Sequence, residues 1–388
     1  MAYFDNSATT KICPEALKKY VSVTEETYGN PSSLHAMGFV AQKELDEARR
    51  HVRNSIDDKT AEVIFTSSGT EANNLAITGR ALSKERYRKG ARIITTDSEH
   101  ASVTAPLAEL QKMGFDIVKI PTRGGKLDLD ALKSAMTDKV ILVTMMLVNN
   151  ETGAAYDIKE VSKLMKAASP EAVLHVDATQ AYLKLPFTKR SLGADMITVS
   201  SHKIEGPKGV GALIIDKNLI KTRGISPIVF GGGQEGGLRS GTENVPAIAA
   251  FGEAARIGYS SLRENAEATE ALRAHLISRL TSEDRFAALS LTLPEAHAPH
   301  ILNVTLPSIK SETMLHFLSS RDFYVSSGSA CSSNSHHTSS ALVAYGRSAA
   351  EADTSIRISF SHNNTIDEID AFLEALAEGL SRLARIHK

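Results

Sequence analysis

The sequence predicts an α/β protein, with a large domain on a mostly parallel sheet covered by helices and a smaller α+β domain. Three observations carry this. Short apolar and β-branched runs alternate with helix-patterned stretches through the middle of the chain, and such alternation builds parallel sheets. Val140–Leu147 is apolar throughout, as suits a strand buried on both faces. After about Val245 the pattern changes to long helical stretches with isolated strand candidates. At about 150 residues per domain, 388 residues allow two to three domains.

Taken in order, Pro14–Tyr28 and Leu34–Ile56 read as helices that precede the sheet. Pro14 opens the first, where its missing N–H is not needed. Glu62–Thr66 is a strand and Thr70–Arg88 a helix. Arg92–Thr96 is a strand, Ala101–Met113 a helix and Asp116–Ile120 a strand. Val140–Leu147 is a strand, Ile158–Ala168 a helix and Val173–Val176 a strand. Met196–Val199 and Gly211–Ile215 add two more strands. Ile248–Leu280 reads as one long amphipathic helical stretch. A strand at His300–Leu306, a helix at Glu312–Ser319, a strand at Ser355–Phe360 and a helix at Ile366–Ile386 follow.

The composition is ordinary for a globular protein, at 42% hydrophobic and 23% charged. It excludes a disordered chain, a coiled coil and a disulfide-dense scaffold. With 44 basic and 45 acidic residues, no bulk charge favours nucleic acid or acidic membranes. Aromatics are 5% and Trp is absent, against a stacking platform for bases or sugars. Two cysteines, Cys13 and Cys331, make neither a disulfide framework nor a four-cysteine metal site, and suit a reducing compartment. MAYFDNSATT has no basic and apolar leader pattern, and no apolar run approaches the roughly 18 residues of a membrane span. A soluble, cytoplasmic protein is expected.

Four segments collect the reactive side chains. Thr66–Glu71 (TSSGTE) places small residues between a strand and a helix, where exposed N–H groups bind phosphate. The plainer reading is an N-cap by Ser68 or Thr70. His175–Gln180 (HVDATQ) ends a strand on Asp177, at a crevice edge of the sheet, or merely caps a helix. Ser200–Gly211 carries Lys203 from another strand into a glycine-rich turn. A lysine in a partly dry pocket forms a Schiff base with an aldehyde; the alternative is an ordinary surface lysine. Ser200 and His202 add phosphate donors. Pyridoxal phosphate needs a Schiff-base lysine, an acid against its ring nitrogen and a nest for its phosphate. A dinucleotide site competes poorly, because no G-x-G-x-x-G stands at a strand–helix junction. The fourth segment, Ser326–Ser335, sets Cys331 among small polar residues, on an exposed loop. Its thiol has a pKa of about 8.5 unless neighbours lower it. His336 and His337 with Cys331 make a poor tetrahedral metal site, so no metal is expected. Cys13, before Pro14, packs or caps.

Ten segments in order resemble the cysteine desulfurases of the iron–sulfur-cluster-assembly type, among the class-V aminotransferase relatives of fold-type I pyridoxal-phosphate enzymes. They are YFDNSATT (Tyr3–Thr10), GNPSSLH (Gly29–His35), FTSSGTEANNLAI (Phe65–Ile77), EHASV (Glu99–Val103), VNNETGA (Val148–Ala154) and HVDATQA (His175–Ala181). SSHKIEGPKGVGAL (Ser200–Leu213), GGGQEGGLRSGTENV (Gly231–Val245), SSGSACSS (Ser326–Ser333) and SIRISF (Ser355–Phe360) complete the set. The resemblance implies a seven-stranded, mostly parallel sheet in a large cofactor domain over 14–250. A small domain over 1–13 and 251–388 would carry the Cys331 loop.

The resemblance also implies roles. Lys203 would hold pyridoxal 5'-phosphate and remove the substrate α-proton. Asp177 would pair with the ring nitrogen, Gln180 would bond the phenolic oxygen, and His100 would stack on the ring and shuttle protons near the substrate sulfur, a capping or buried histidine being its plainer reading. Gly69, Thr70, Ser200 and His202 would hold the phosphate, with Thr242 reaching the neighbouring subunit's phosphate in a homodimer. Asn149, also among the cofactor-binding residues, and Arg357 would grip the substrate carboxylate, a task that suits an Arg fork; a structural ion pair is the plainer reading of Arg357. Cys331 would take the sulfur of L-cysteine as a persulfide, leaving L-alanine, and pass it to an acceptor protein for cluster assembly or thiolation. Gly236 departs from the pattern, standing where the family usually has arginine. A selenocysteine lyase or aminotransferase of the same fold, and a non-catalytic sulfur-carrier platform, are the competing readings. A loop thiol would be idle in transamination, and an intact Lys203, Asp177 and His100 set argues against a bare platform.

Overall fold

The structure is a computed structural model and describes residues 1–83, 91–327 and 338–383. The chain opens with a short strand, β1 (Ala2–Tyr3). Helices α1 (Pro14–Glu26) and α2 (Ala36–Asn54) follow. Pro14 occupies the first turn of α1, and His35 caps α2 by accepting from the Gly38 N–H.

Strand–helix alternation then begins with β2 (Glu62–Thr66), α3 (Gly69–Ala81), β3 (Arg92–Thr96), α4 (Ala101–Lys112) and β4 (Asp116–Ile120). It continues through α5 (Leu129–Ala135), β5 (Val140–Met146), α6 (Ile158–Ala168), β6 (Val173–Asp177) and α7 (Lys189–Leu192). The strands β7 (Met196–Ser200) and β8 (Gly211–Ile215) and the short α8 (Lys217–Lys221) complete it. Strands β2 to β8 form one sheet in the order β2-β8-β7-β6-β5-β3-β4. From β7 to β4 all pairings are parallel. β8 alone runs against both neighbours. The mostly parallel seven-stranded sheet is therefore present.

Alternate side chains of these strands enter two cores. Val63, Val143, Leu174 and Ile197 point to one face; Ile64, Leu142, Val173 and Met196 point to the other. The first face is covered by α2, α6 and α9 (Val245–Ser260), the second by α3 and α4. Burial on both faces explains the unbroken apolar runs. Each buried Val, Leu or Ile contributes about 1.5–3 kcal/mol. The C-terminal ends of β2, β3, β5, β6 and β7 share one edge, because these strands run in one direction.

Past α9, the smaller lobe contains α10 (Leu262–Ser282), β9 (Ser290–Thr292), β10 (Ile301–Thr305), α11 (Ser311–Ser319), β11 (Phe323–Tyr324) and β12 (Ser326–Ser327). It ends with α12 (Ser340–Tyr345), α13 (Ala349–Asp353), β13 (Ser355–Ser359) and α14 (Ile366–Leu383). Its sheet has the order β12-β13-β10-β9. The N-terminus belongs here: β1 pairs with β11, and Phe4 meets Phe360 and Phe372 edge-on at 5.8 and 5.5 Å. No helix of the described residues is long and apolar enough to cross a membrane.

Two helical expectations change. The helix expected over Thr70–Arg88 ends at Ala81. Its 13 residues rise about 20 Å, enough to cross the roughly 17 Å of the five-residue strands it covers. The stretch Ile248–Leu280 is two helices, broken at Ser261 (φ −110°, ψ 9°). α9 packs Phe251 and Ala254 into the large core, while α10 packs Leu272 and Leu276 into the small one. One straight helix cannot serve both.

Candidate active site

The shared edge of the sheet holds a cavity of about 270 Å³. The turn after β2 supplies its first wall. Ser68 caps α3 by accepting from the Glu71 N–H at 3.2 Å, so the capping role and the cavity role fall in one turn. Glu71 fastens that turn, accepting from the Ser67 N–H at 2.9 Å and from Arg239 Nε at 2.8 Å. Burial opposes its charge, but Arg239 and Ser67 outweigh it and hold the carboxyl below its usual range. Gly69 and Thr70 line the cavity. A Cβ on Gly69 would stand 3.3 Å from Ser200 Cβ and from Thr179 Oγ1, so a side chain there would crowd the cradle.

Ser200 ends β7 and is 2% exposed. Its Oγ lines the cavity without a hydrogen-bond partner among the described residues. His202 Nδ1 lies 3.2 Å from Thr9 Oγ1. Burial and then the nearby Lys203 push its pKa down to about 4, leaving a neutral ring. An unpaired buried hydroxyl, a glycine cradle and the N-terminus of a 13-residue helix together fit a phosphate.

Asp177 ends β6, where Asn73 Nδ2 and the Thr179 N–H donate to it at 2.8 and 2.9 Å. It caps no regular helix; the next, α7, begins at Lys189. Asn73 was not singled out in the sequence, although it lies inside the FTSSGTEANNLAI segment. Its amide also donates to Ser102 Oγ at 2.8 Å, and Ser102 Oγ lies 2.8 Å from His100 Nδ1. One buried amide thus links Asp177 to His100. His100 is the N-cap of α4, its Nδ1 accepting from the Ser102 N–H at 3.1 Å. The ring proton therefore sits on Nε2. Burial lowers its pKa, Asp177 opposing and Lys203 adding to the effect.

Lys203 follows β7 in a short 3₁₀ turn. Its Nζ donates to the Ser7 carbonyl and, at 2.7 Å, to the Ala8 carbonyl. Gln180 donates from Nε2 to the same Ser7 carbonyl at 2.9 Å. The Ser7–Ala8 backbone is a wall of the cavity that sequence reasoning did not assign.

Arg357 reaches the cavity from β13 of the small lobe. Nη1 donates to the Asn150 carbonyl at 2.8 Å and Nη2 to Asp5 Oδ1 at 2.9 Å. Its Nε has no partner among the described residues. The ion pair with Asp5 and the place in the cavity coexist. Asn149 stands apart. Its Oδ1 accepts from the Glu151 and Thr152 N–H groups at 3.0 and 2.9 Å. Its Nδ2 donates to the Ser98 carbonyl at 3.0 Å. Asn150 lines the cavity instead. Thr242 is exposed and lines none of this cavity.

Cys331, His336 and His337 lie outside the described residues, but both flanks of their segment are anchored. Ser326 pairs with Arg357 across β12 and β13, and Ser339 Oγ donates to Glu151 Oε2 at 2.6 Å. Cys13 is half-buried at the start of α1, against the large core. Burial raises its thiol pKa. Among the described residues no three His, Cys, Asp or Glu side chains gather as a metal site.

The class-V aminotransferase family model matches residues 2–372. A NifS/IcsS protein homolog of Lactobacillus delbrueckii subsp. bulgaricus is 40% identical, over 100% of this chain and 99% of its own. Cysteine desulfurase IscS 1 of Archaeoglobus fulgidus is 37% identical, over 99% of this chain and 98% of its own. Among solved structures, a NifS-like protein superposes with a TM-score of 0.90 at 35% identity. That match covers 98% of this chain and 100% of the other.

Proposed function

Because the chain belongs to the class-V aminotransferase family, among its pyridoxal-phosphate-dependent cysteine desulfurases, we propose that it works through the residues of this cavity and through Cys331. Lys203 would hold pyridoxal 5'-phosphate through its amine. Gly69, Thr70, Ser200 and His202 would hold the phosphate, Asp177 the ring nitrogen and Gln180 the phenolic oxygen. The observation that carries this is the convergence of the unpaired Ser200 hydroxyl, the Gly69 cradle, Asp177 and Lys203 on one cavity. When bound, the cofactor supplies an electron sink that lets substrate Cα lose its proton and weakens the Cβ–S bond.

The chain's own residues do the rest. Arg357 grips the L-cysteine carboxylate, exchanging part of its hold on Asp5 for the substrate. Asn149 shapes the turn that presents Asn150 to that carboxylate. Lys203 Nζ accepts the Cα proton, and His100 carries a proton at Nε2 close to the substrate sulfur. Cys331 Sγ, as thiolate, forms an S–S bond with that sulfur as the Cβ–S bond breaks. The electron pair of that bond stays with the carbon fragment, which takes up a proton and leaves as L-alanine. Sulfur then leaves the Cys331 persulfide for an acceptor protein in cluster assembly or thiolation, in the cytoplasm. The active unit is a homodimer, with Thr242 crossing to the neighbouring phosphate.

The test is Cys331→Ala. The variant should bind the cofactor and exchange the Cα hydrogen of L-cysteine, yet release no alanine. The unmodified chain, given L-cysteine without reductant, should gain sulfur on the Cys331 peptide and none on Cys13. Normal alanine release by the variant would overturn the assignment of the nucleophile.

A further inference from the structure

Lys203 lines a second, smaller cavity of about 70 Å³ together with Lys184, Glu205, His300 and His362. Lys184 stands in the turn that carries Asp177 and Gln180 away from β6, its N–H donating to the Ala181 carbonyl at 3.0 Å. Its Nζ is buried and has no hydrogen-bond partner among the described residues. A buried ammonium without an acceptor is costly. Burial first, then the charges of Lys203 and Arg357, push the Lys184 pKa down to about 7, with Glu205 opposing.

The other groups facing the two amines are matched. Asp5 is paired with Arg357 at 2.9 Å. Glu205 accepts from Asn363 Nδ2 at 3.1 Å and lies 3.8 Å from His362 Nδ1. Asp177 is held by Asn73 and the Thr179 N–H. Burial drives His100, His202 and His300 toward their neutral forms. Among the described residues none of these groups accepts a hydrogen bond from Lys184 Nζ, and Glu205 offsets its charge only through space.

We propose that Lys184 is a positioning residue for Lys203: the two residues line one small cavity, and the Lys184 amine is buried, so a proton on either amine disfavours a proton on the other. The Lys184 charge then keeps the Lys203 nitrogen available at neutral pH as the base that bonds an aldehyde and accepts a proton. Arginine at position 184 would hold that charge at every working pH, and methionine would remove it while keeping most of the volume. The inference rests on Lys203 being the cofactor lysine.

The experiment compares wild-type, Lys184→Met and Lys184→Arg holoenzymes by absorbance against pH. The protonation midpoint of the lysine–cofactor band should rise by about one pH unit in Lys184→Met. In Lys184→Arg it should lie at or below the wild-type value. The cofactor-free proteins give a second reading: the midpoint for acylation of Lys203, followed by peptide mass, should move in the same order. Coincident midpoints in all three proteins would overturn the proposal. If Lys184→Met does not fold, Lys184→Gln takes its place in the same comparison. Borohydride reduction of the holoenzyme keeps the two readings apart. Cofactor on the Lys203 peptide with unmoved midpoints rejects only the role of Lys184. Cofactor on the Lys184 peptide rejects the assignment of Lys203 and this inference with it.

Discussion

Glu99 stands beside His100 at the end of β3 and is wholly buried, 5% exposed. Its Oε1 accepts from Thr96 Oγ1 and from the Met146 N–H, at 2.7 and 2.9 Å. Burial raises its pKa from 4.5 to about 8, Asp177 adding to the effect and the two donors opposing it. The unfolded chain therefore loses this proton near pH 4.5, while the folded chain keeps it to about pH 8. Between those values unfolding releases a proton, so stability falls as pH rises and levels off above about pH 8. Glu99→Gln removes this slope. The melting temperature of the variant minus that of wild type should increase by roughly 2–4 °C from pH 6 to pH 8 and then stay flat. A difference that does not change with pH would show that Glu99 is ionised in the folded protein. The EHASV segment names Glu99, yet nothing in its pattern tells a buried carboxyl from a solvated one. That depends on β5 passing alongside.

At the scale of elements, the phosphate cradle depends on how closely two strands and a helix start can approach. Gly211 opens β8 between Thr66 of β2 and Ser200 of β7. A Cβ there would stand 2.5 Å from the Ser68 carbonyl carbon and 2.7 Å from the Gly69 nitrogen. Gly211→Ala must push the turn outward, at a cost of about 1–3 kcal/mol. It should also loosen cofactor retention, measured by dialysis alongside thermal unfolding. Gly209 is the control. Its φ is +80° with open space around it, so Gly209→Ala strains the backbone by about 1 kcal/mol without touching the cradle. Cofactor retention that falls equally in both would mean that the close approach at Gly211 is not the cause.

For the whole molecule, assembly turns on Thr242, which is exposed, as are several large apolar side chains elsewhere on the chain. Phe230 is 81% exposed, and Tyr28, Leu34 and Phe39 stand out from the GNPSSLH region at 72%, 107% and 62%. Such residues suit a face covered by a second copy. If Thr242 acts across a subunit boundary, Lys203→Ala and Thr242→Ala chains, each crippled alone, should complement when mixed and re-associated. Half of the dimers would be hybrids with one intact site, so roughly a quarter of wild-type activity should return. No recovery, with hybrids demonstrated by mass, would place Thr242 in its own subunit's site or outside any.

The sequence by itself determined the strands of the large sheet, with their ends to within about a residue. β-branched runs such as Glu62–Thr66 and Arg92–Thr96 carry their own boundaries, because strand and helix periods are local properties of the chain. Asp177, Ser200 and Lys203 were legible for the same reason, each lying at or just past the end of such a run. The tertiary structure alone decided which side chains meet. Asp5 and Arg357 are 352 residues apart when they pair, and Asn73 reaches Asp177 across 104. The choice of Asn150 over Asn149 as the cavity wall turns on which amide the Glu151–Thr152 backbone uses. The break at Ser261 arises because α9 and α10 serve different cores. The unpaired Lys184 amine depends on where β6 and the N-terminal segment come to lie. These contacts follow from strand order and from lobe packing, which join segments with no shared local pattern, and no window of neighbouring residues encodes them.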